Sequence, residues 1–218
     1  MSTQNLRQTV VELCVELSNK GHFSGTGGNI ALRIDAEHMA VTPSATDYLT
    51  MTASDVCVLR LDDLQQVEGA RTPSVESGLH ARVLRARPDI HASIHTHQPV
   101  ASACALLGRP LEVPSGPMQR SLGRRIPVVG YAPSGSRWLS SKLASTLRPD
   151  INGYLMLNHG VLCCAATTWA ALKLVEELEA LSKAQLMQAI SVRCKQQPHM
   201  QAVLQRVVDA LTADLIQP

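Results

Sequence analysis

The sequence predicts a single α/β domain of alternating strands and helices, with antiparallel pairing among its first strands. Three observations carry that prediction. Short strand patterns over 30–34, 39–42 and 56–61 follow one another with only turns between them, which favours antiparallel hairpins. Apolar residues recur at helical spacing along several other stretches. The chain has 218 residues, 45% of them hydrophobic, enough to fill a core. Because the sheet begins before any crossover helix, a Rossmann-type arrangement is disfavoured. No internal repeat, low-complexity tract or linker divides the chain, so residues 1–218 read as one domain.

In chain order, Leu6, Val10, Leu13 and Leu17 define a first helix, with Gly21 as its C-terminal stop. The loop Ser24-Gly25-Thr26-Gly27-Gly28-Asn29 is too glycine-rich for regular structure. It reads either as a tight helix-to-strand turn or as a nest of exposed N–H groups, with Thr26 and Asn29 adding bonds to an anion. Thr42-Pro43-Ser44-Ala45 and Thr52-Ala53-Ser54-Asp55 are polar turns between the early strands, and Asp62-Asp63 is a solvated turn. A helix is expected to start at Thr72-Pro73-Ser74-Val75-Glu76, with Thr72 as cap and Pro73 at the first helical position. Val75, Leu79, Val83 and Ala86 form its apolar stripe, and Pro88 ends it. Pro99 opens a small-residue helix that ends at Gly108, and residues 112–125 read as a long loop carrying Arg120, Arg124 and Arg125. A strand resumes over 126–129. Ser134-Gly135-Ser136 precedes a helix bearing Leu139, Leu143 and Leu147, and a long helix runs from Thr168 into the 190s. Pro198 separates a last amphipathic helix with Val203, Val207, Leu211 and Leu215.

Composition narrows the function classes. Twenty Lys and Arg against 18 Asp and Glu give a net charge of +2, which supplies no electrostatic case for nucleic acid. The six cysteines form no C-x-x-C pair, and all but Cys194 lie in apolar surroundings, as reduced thiols of a cytoplasmic protein do. The polar N-terminus shows no signal-peptide core, and no apolar run approaches a bilayer-spanning length. The expectation is a soluble cytoplasmic protein.

The stretch that gives the chain its chemistry is Ile90-His91-Ala92-Ser93-Ile94-His95-Thr96-His97, where apolar and polar residues alternate as on a half-buried strand. His95 and His97 leave the same face about 6.5 Å apart and can converge on one metal ion. His91 shares the parity but lies about 13 Å from His95, too far for the same ion. His159 stands at the end of another apolar run, Leu155-Met156-Leu157-Asn158. Three imidazoles with one coordination position open are the pattern of catalytic zinc, although a His-x-His pair alone also describes two imidazoles satisfied by backbone groups. Glu76, near the start of the helix leading into this strand, either complements the helix dipole or serves as general base or detachable fourth ligand.

Seven motifs in order give the chain a family resemblance: Gly28-Asn29-Ile30, Thr42-Pro43-Ser44, Pro73-Ser74-Val75-Glu76, Arg85-Ala86-Arg87-Pro88-Asp89, His95-Thr96-His97, Tyr131-Ala132-Pro133-Ser134-Gly135 and Asn158-His159-Gly160. In these it resembles the class II (zinc-dependent) aldolase/adducin family over nearly its whole length. The resemblance implies a mixed, largely antiparallel central sheet flanked by helices. It implies a divalent metal (zinc, or manganese or cobalt) on His95, His97 and His159, and Glu76 as catalytic carboxylate. It also implies phosphate binding around Thr26, Gly28, Asn29, Ser44 and Ser74, and a homotetramer with sites between neighbouring subunits. A metal acting as Lewis acid on a carbonyl, with Glu76 moving a proton at the adjacent carbon, serves first the retro-aldol cleavage of a small-molecule substrate, a sugar-phosphate-like ketose or aldonate. Decarboxylation of a 3-oxo acid and 4-epimerisation use the same half-reaction, and a non-catalytic adducin-like module is the reading from another class. Two departures bear on the substrate. Ala45 replaces a glycine usual in the family's phosphosugar aldolases, and Val75 replaces a serine, so phosphate binding should be weaker. Tyr48, Tyr131 and Tyr154 fall at neither place where the fuculose-phosphate enzymes use tyrosine, one in the 112–125 loop and one near the C-terminus.

Overall fold

The computed structural model describes residues 2–23, 25 and 27–213. Helix α1 (Thr3–Asn19) is capped by Ser2, whose Oγ accepts from the Asn5 amide, and Leu6, Val10, Leu13 and Leu17 are buried along it. Strands β1 (Asn29–Arg33), β2 (His38–Val41) and β3 (Cys57–Arg60) form where the alternating pattern puts them. A further strand, β4 (Gln66–Glu68), carries no periodic signal because it is a short edge with its side chains largely in solvent.

Helix α2 spans Ser77–Ala86 and is followed by β5 (Ala92–Thr96) and α3 (Pro99–Leu106). The 112–125 segment corrects the expectation of a long loop. Short strands β6 (Leu111–Glu112) and β7 (Arg125–Ile126) pair across helix α4 (Pro117–Leu122). The strand expected over 126–129 is divided at Pro127, so that β8 (Val128–Val129) joins the main sheet instead. Then come α5 (Arg137–Thr146), capped by Ser136, β9 (Gly153–Met156), β10 (Gly160–Ala165) and α6 (Thr168–Gln196), capped by Thr167. A 3₁₀ turn at Pro198–Met200 leads to α7 (Gln201–Ala213). This last helix buries none of its residues, with Val203 and Val207 exposed; Leu215 lies outside the described residues.

The main sheet has eight strands in the order β4-β3-β2-β1-β5-β10-β9-β8. All neighbours are antiparallel except β8 and β9. Side-chain parity divides the core into two layers. Ile30, Leu32, Ile94, Val161 and Cys163 face α1, α3 and α6, while Ala31, Met39, Leu162 and Cys164 face α2 and α5. The β5 strand is therefore buried on both faces, not half-buried, and its polar residues Ser93 and His95 are fully buried under α2. Arg87 ties the end of α2 to the start of β9, donating to the carbonyl oxygens of Arg148 and Ile151 and to Asn152 Oδ1. Among the described residues no helix is long and apolar enough to cross a membrane, and all six cysteines are free.

The start of α2 also differs from expectation. Thr72 and Pro73 precede the helix: Pro73 bridges to Pro43, Ser44 N donates to the Thr72 carbonyl oxygen, and Ser74 N donates to that of Thr42. Val75 is 65% exposed, outside the apolar stripe, and Glu76 stands at the N-cap position. The backbone bonds of 72–74 are spent on the neighbouring turn, so the helix cannot begin before Ser77.

A close approach fixes the seam between β5 and β10. A Cβ on Gly160 would lie 2.5 Å from the Thr96 carbonyl oxygen and 2.6 Å from the His97 ring. Gly160→Ala should therefore lower stability by roughly 1–3 kcal/mol, the usual effect of overpacking. Urea denaturation checks this, and an unchanged midpoint would show slack in the seam.

Candidate metal centre

The sheet register assembles the site. Asn29 on β1 pairs with His95 on β5, and Leu162 on β10 pairs with His95 from the other side. Asn29, Ser93 and His95 consequently share the face covered by α2, where the N-cap position aims Glu76 at the sheet. His159 sits in the β9–β10 connection, where Asn158 takes φ +55°, a left-handed conformation that asparagine tolerates better than most residues. With His97, one residue beyond β5, these turns bring three imidazoles together: one ring nitrogen from each of His95, His97 and His159 lies within 4.8 Å of the others. His91 stays outside the group.

Glu76 lies against this cluster. Its Oε2 is 3.3 Å from His95 Nε2 and its Oε1 is 3.1 Å from His159 Nε2. Asn29 Nδ2 donates to Oε2 at 2.8 Å and Ser134 Oγ donates to Oε1 at 2.9 Å. Burial alone would raise the carboxyl pKa. The His159 hydrogen bond, the neighbouring His95 and the Asn29 amide together overcome that and hold it well below the ordinary carboxylate range. Burial pushes His95 down to about 3 and also lowers His97, so both are neutral near pH 7.

The donor set fits a divalent cation. His95 Nδ1 donates to the Val161 carbonyl oxygen at 2.7 Å, which fixes the tautomer and leaves Nε2 as a lone pair. That lone pair faces His97 Nε2 at 3.0 Å and the Glu76 carboxylate at 3.3 Å. Acceptors packed this closely repel one another unless a proton or cation stands among them. Three imidazoles and a carboxylate could hold such an ion. His95 is fully buried, whereas His97 and His159 are partly exposed, so the cluster opens to solvent on their side.

Among the residues expected to bind phosphate, Ser44 and Ser74 are brought together by the stitched 42–44 and 72–74 turns beside β1, which carries Asn29. Their groups are not equally free. The Asn29 side chain is bonded at both ends, to Glu76 and to His80. Ser74 Oγ accepts from the Glu76 amide at 3.2 Å, and the Ser44 amide is spent on Thr72. Gly28 has φ +94°, a Cβ there would strike the Phe23 ring at about 2.5 Å, and its carbonyl oxygen accepts from Tyr48. Thr26 lies outside the described residues. Ala45 sits at φ +48°, the left-handed region where its Cβ is disfavoured and glycine is not. No sequence motif marks a role for His80, Ser93 or Ser134. The i, i+4 spacing of Glu76 and His80 and the shared parity of Ser93 and His95 were the signals available.

The buried neutral imidazoles make stability depend on pH. Burial lowers His80 to about 4 and His95 to about 3, against an ordinary value of about 6.5. An unfolded chain takes up these protons first as pH falls, so the stability they contribute is complete above about pH 6.5 and declines toward pH 3–4. Each site should cost roughly 2 kcal/mol by pH 5 in metal-free protein. Urea midpoints at pH 7.5 and pH 5 measure it; a pH-independent midpoint would contradict the buried-neutral state.

Comparison with known proteins agrees with this geometry. Residues 8–186 match the family model for the Class II Aldolase and Adducin N-terminal domain. The chain is 30% identical over 183 residues to an L-fuculose phosphate aldolase of Escherichia coli O6:H1, covering 84% of this chain and 83% of the relative. It is 30% identical over 202 residues to a methylthioribulose-1-phosphate dehydratase of Serratia proteamaculans, covering 87% and 98%. A solved L-fuculose 1-phosphate aldolase superposes with a TM-score of 0.77 at 31% identity, over 84% of this chain and 86% of that one. The chain belongs to the class II aldolase and adducin N-terminal domain family and is an enzyme of its aldolase type.

Proposed function

We propose that this protein is a divalent-metal-dependent carbon–carbon lyase that cleaves a small phosphorylated ketose, or a related aldonate, by retro-aldol chemistry. The observation carrying the reading is the convergence of the three imidazoles of His95, His97 and His159, with the Glu76 carboxylate against His95 and His159. Those imidazoles hold the metal, and Glu76 is the carboxylate that moves the proton. Zinc suits three neutral imidazoles best. When bound, it supplies Lewis acidity toward the substrate carbonyl.

The chain's own residues do the rest. The hydrogen bonds from Asn29 and Ser134 hold Glu76 ionised beside the cluster, ready to accept a proton from the substrate hydroxyl or return one to the adjacent carbon. Gly28, Asn29, Ser44 and Ser74 form the end that receives the phosphate, and the family resemblance adds Thr26 to them. The strained Ala45 and the apolar Val75 weaken that end, so turnover with L-fuculose 1-phosphate should be slow. Both relatives carry a ketose phosphate in their names, which supports the substrate class. Decarboxylation, 4-epimerisation and a purely structural role are not favoured. We also propose a homo-oligomer, a tetramer. Its support is the exposure of Trp138, Trp169 and Tyr131, with Trp138 and Tyr131 lining a cleft of about 590 Å³. The free cysteines support a reducing, cytoplasmic location.

Elemental analysis should find about one divalent ion per chain, and the same preparation should sediment as an oligomer. His97→Ala should lose the metal and keep the fold; a stoichiometric ion retained by a His95/His97 double variant would refute the site. A panel of ketose phosphates, aldonates and 3-oxo acids separates cleavage to two carbonyl fragments from loss of water or carbon dioxide. On the substrate found, Glu76→Gln should keep the metal and lower kcat by roughly 10²–10⁴-fold. A wild-type rate would reduce Glu76 to a residue that merely starts the helix.

A further inference from the structure

We infer that His80 is a positioning residue that sets the direction of a buried hydrogen-bond chain ending on Glu76. The chain runs Ser93 Oγ to His80 Nδ1 at 2.7 Å, His80 Nε2 to Asn29 Oδ1 at 2.7 Å, and Asn29 Nδ2 to Glu76 Oε2 at 2.8 Å. It crosses three elements, β5, α2 and β1, and His80 at its centre is fully buried. This role rests on the reading of Glu76 as the proton-transferring carboxylate.

Donors and acceptors fix the direction of the chain. An ionised carboxylate only accepts, so Asn29 must turn its amide nitrogen toward Glu76. Its carbonyl oxygen then faces His80, which must present an N–H at Nε2. A neutral imidazole carries a single N–H, so Nδ1 is a lone pair, and Ser93 satisfies it with its hydroxyl proton. Each link permits one polarity only. Without a donor at position 80, the Asn29 amide loses the reason to keep its nitrogen toward the carboxylate. A flipped amide would set a carbonyl oxygen against Glu76, repelling the charge that the reaction needs. A histidine that merely filled space under α2 would show no such polarity and could be replaced by leucine.

The test compares His80→Leu with His80→Gln, whose side-chain amide can still donate to Asn29 Oδ1. Two readouts are taken on the metal-loaded protein. In steady-state kinetics, H80L should lower kcat by about 10–100-fold with little change in KM and with metal content unchanged, and H80Q should recover most of the loss. In ¹⁵N-labelled protein without substrate, the Asn29 side-chain amide, identified by its disappearance in Asn29→Ala, should exchange slowly with solvent in wild type and H80Q and quickly in H80L. Where H80L fails to fold, Ser93→Ala carries the same test, removing the tautomer-setting donor and lowering kcat by roughly 2–10-fold. H80L matching or exceeding H80Q, or S93A keeping wild-type turnover, overturns the role. If wild type cleaves no sugar phosphate, the proposed reaction falls; the amide exchange then decides the role of His80 separately.

Discussion

A carboxylate buried beside three imidazoles is the constraint on which the rest of this structure depends. Taking an ionised group out of water costs several kcal/mol unless each of its lone pairs finds a partner. Glu76 finds donors in Asn29 from β1 and Ser134 from the loop before α5, and it lies against His95 and His159 from either side of the β5–β10 seam. Each partner comes from a different element. The fold can therefore be read as the arrangement that brings those elements to one point.

The sheet makes this convergence affordable. In β5, parity sends Ala92 and Ile94 into the layer beneath α1, α3 and α6, and Ser93 and His95 into the layer beneath α2. An ordinary strand with that alternation would leave its polar face to water. Here α2 covers it, and the polar groups are satisfied among themselves: Ser93 with His80, His80 with Asn29, His95 Nδ1 with the Val161 carbonyl oxygen. A fully satisfied buried polar network is rigid in a way that an apolar contact is not, because each hydrogen bond fixes a direction as well as a distance. Rigidity of that kind holds lone pairs aimed before any ion or substrate arrives.

The same site shows where backbone economy yields to function. Gly160 carries no side chain so that β10 can lie against the His97 ring, and Asn158 accepts a left-handed conformation to present His159. Ala45 stays in that region without the glycine that would relax it. The exposed Val75 stands two residues beyond Pro73, which bridges to Pro43 in the same pair of turns.

The sequence by itself determined the strands and helices whose signal is periodic, together with the chemical types at the site. The alternation in 90–97, the stripes of α1, α5 and α6, the Ser136 cap and the His-x-His spacing are all local facts, written within one or two turns of chain. The seven ordered motifs made the family legible as well. Tertiary structure decided what depends on partners distant in sequence. The start of α2 moved to Ser77 because Ser44 and Thr42 claim the backbone of 72–74, and the 112–125 segment became a strand–helix–strand unit because β6 and β7 meet only across α4. The polar face of β5 was buried because a helix from elsewhere covers it. His80 gave no motif signal of its own, since its role lies in hydrogen bonds spanning 13 and 51 residues of chain. Periodicity reports which face of an element is apolar, but the polarity of a hydrogen bond is fixed only when both partners are in place.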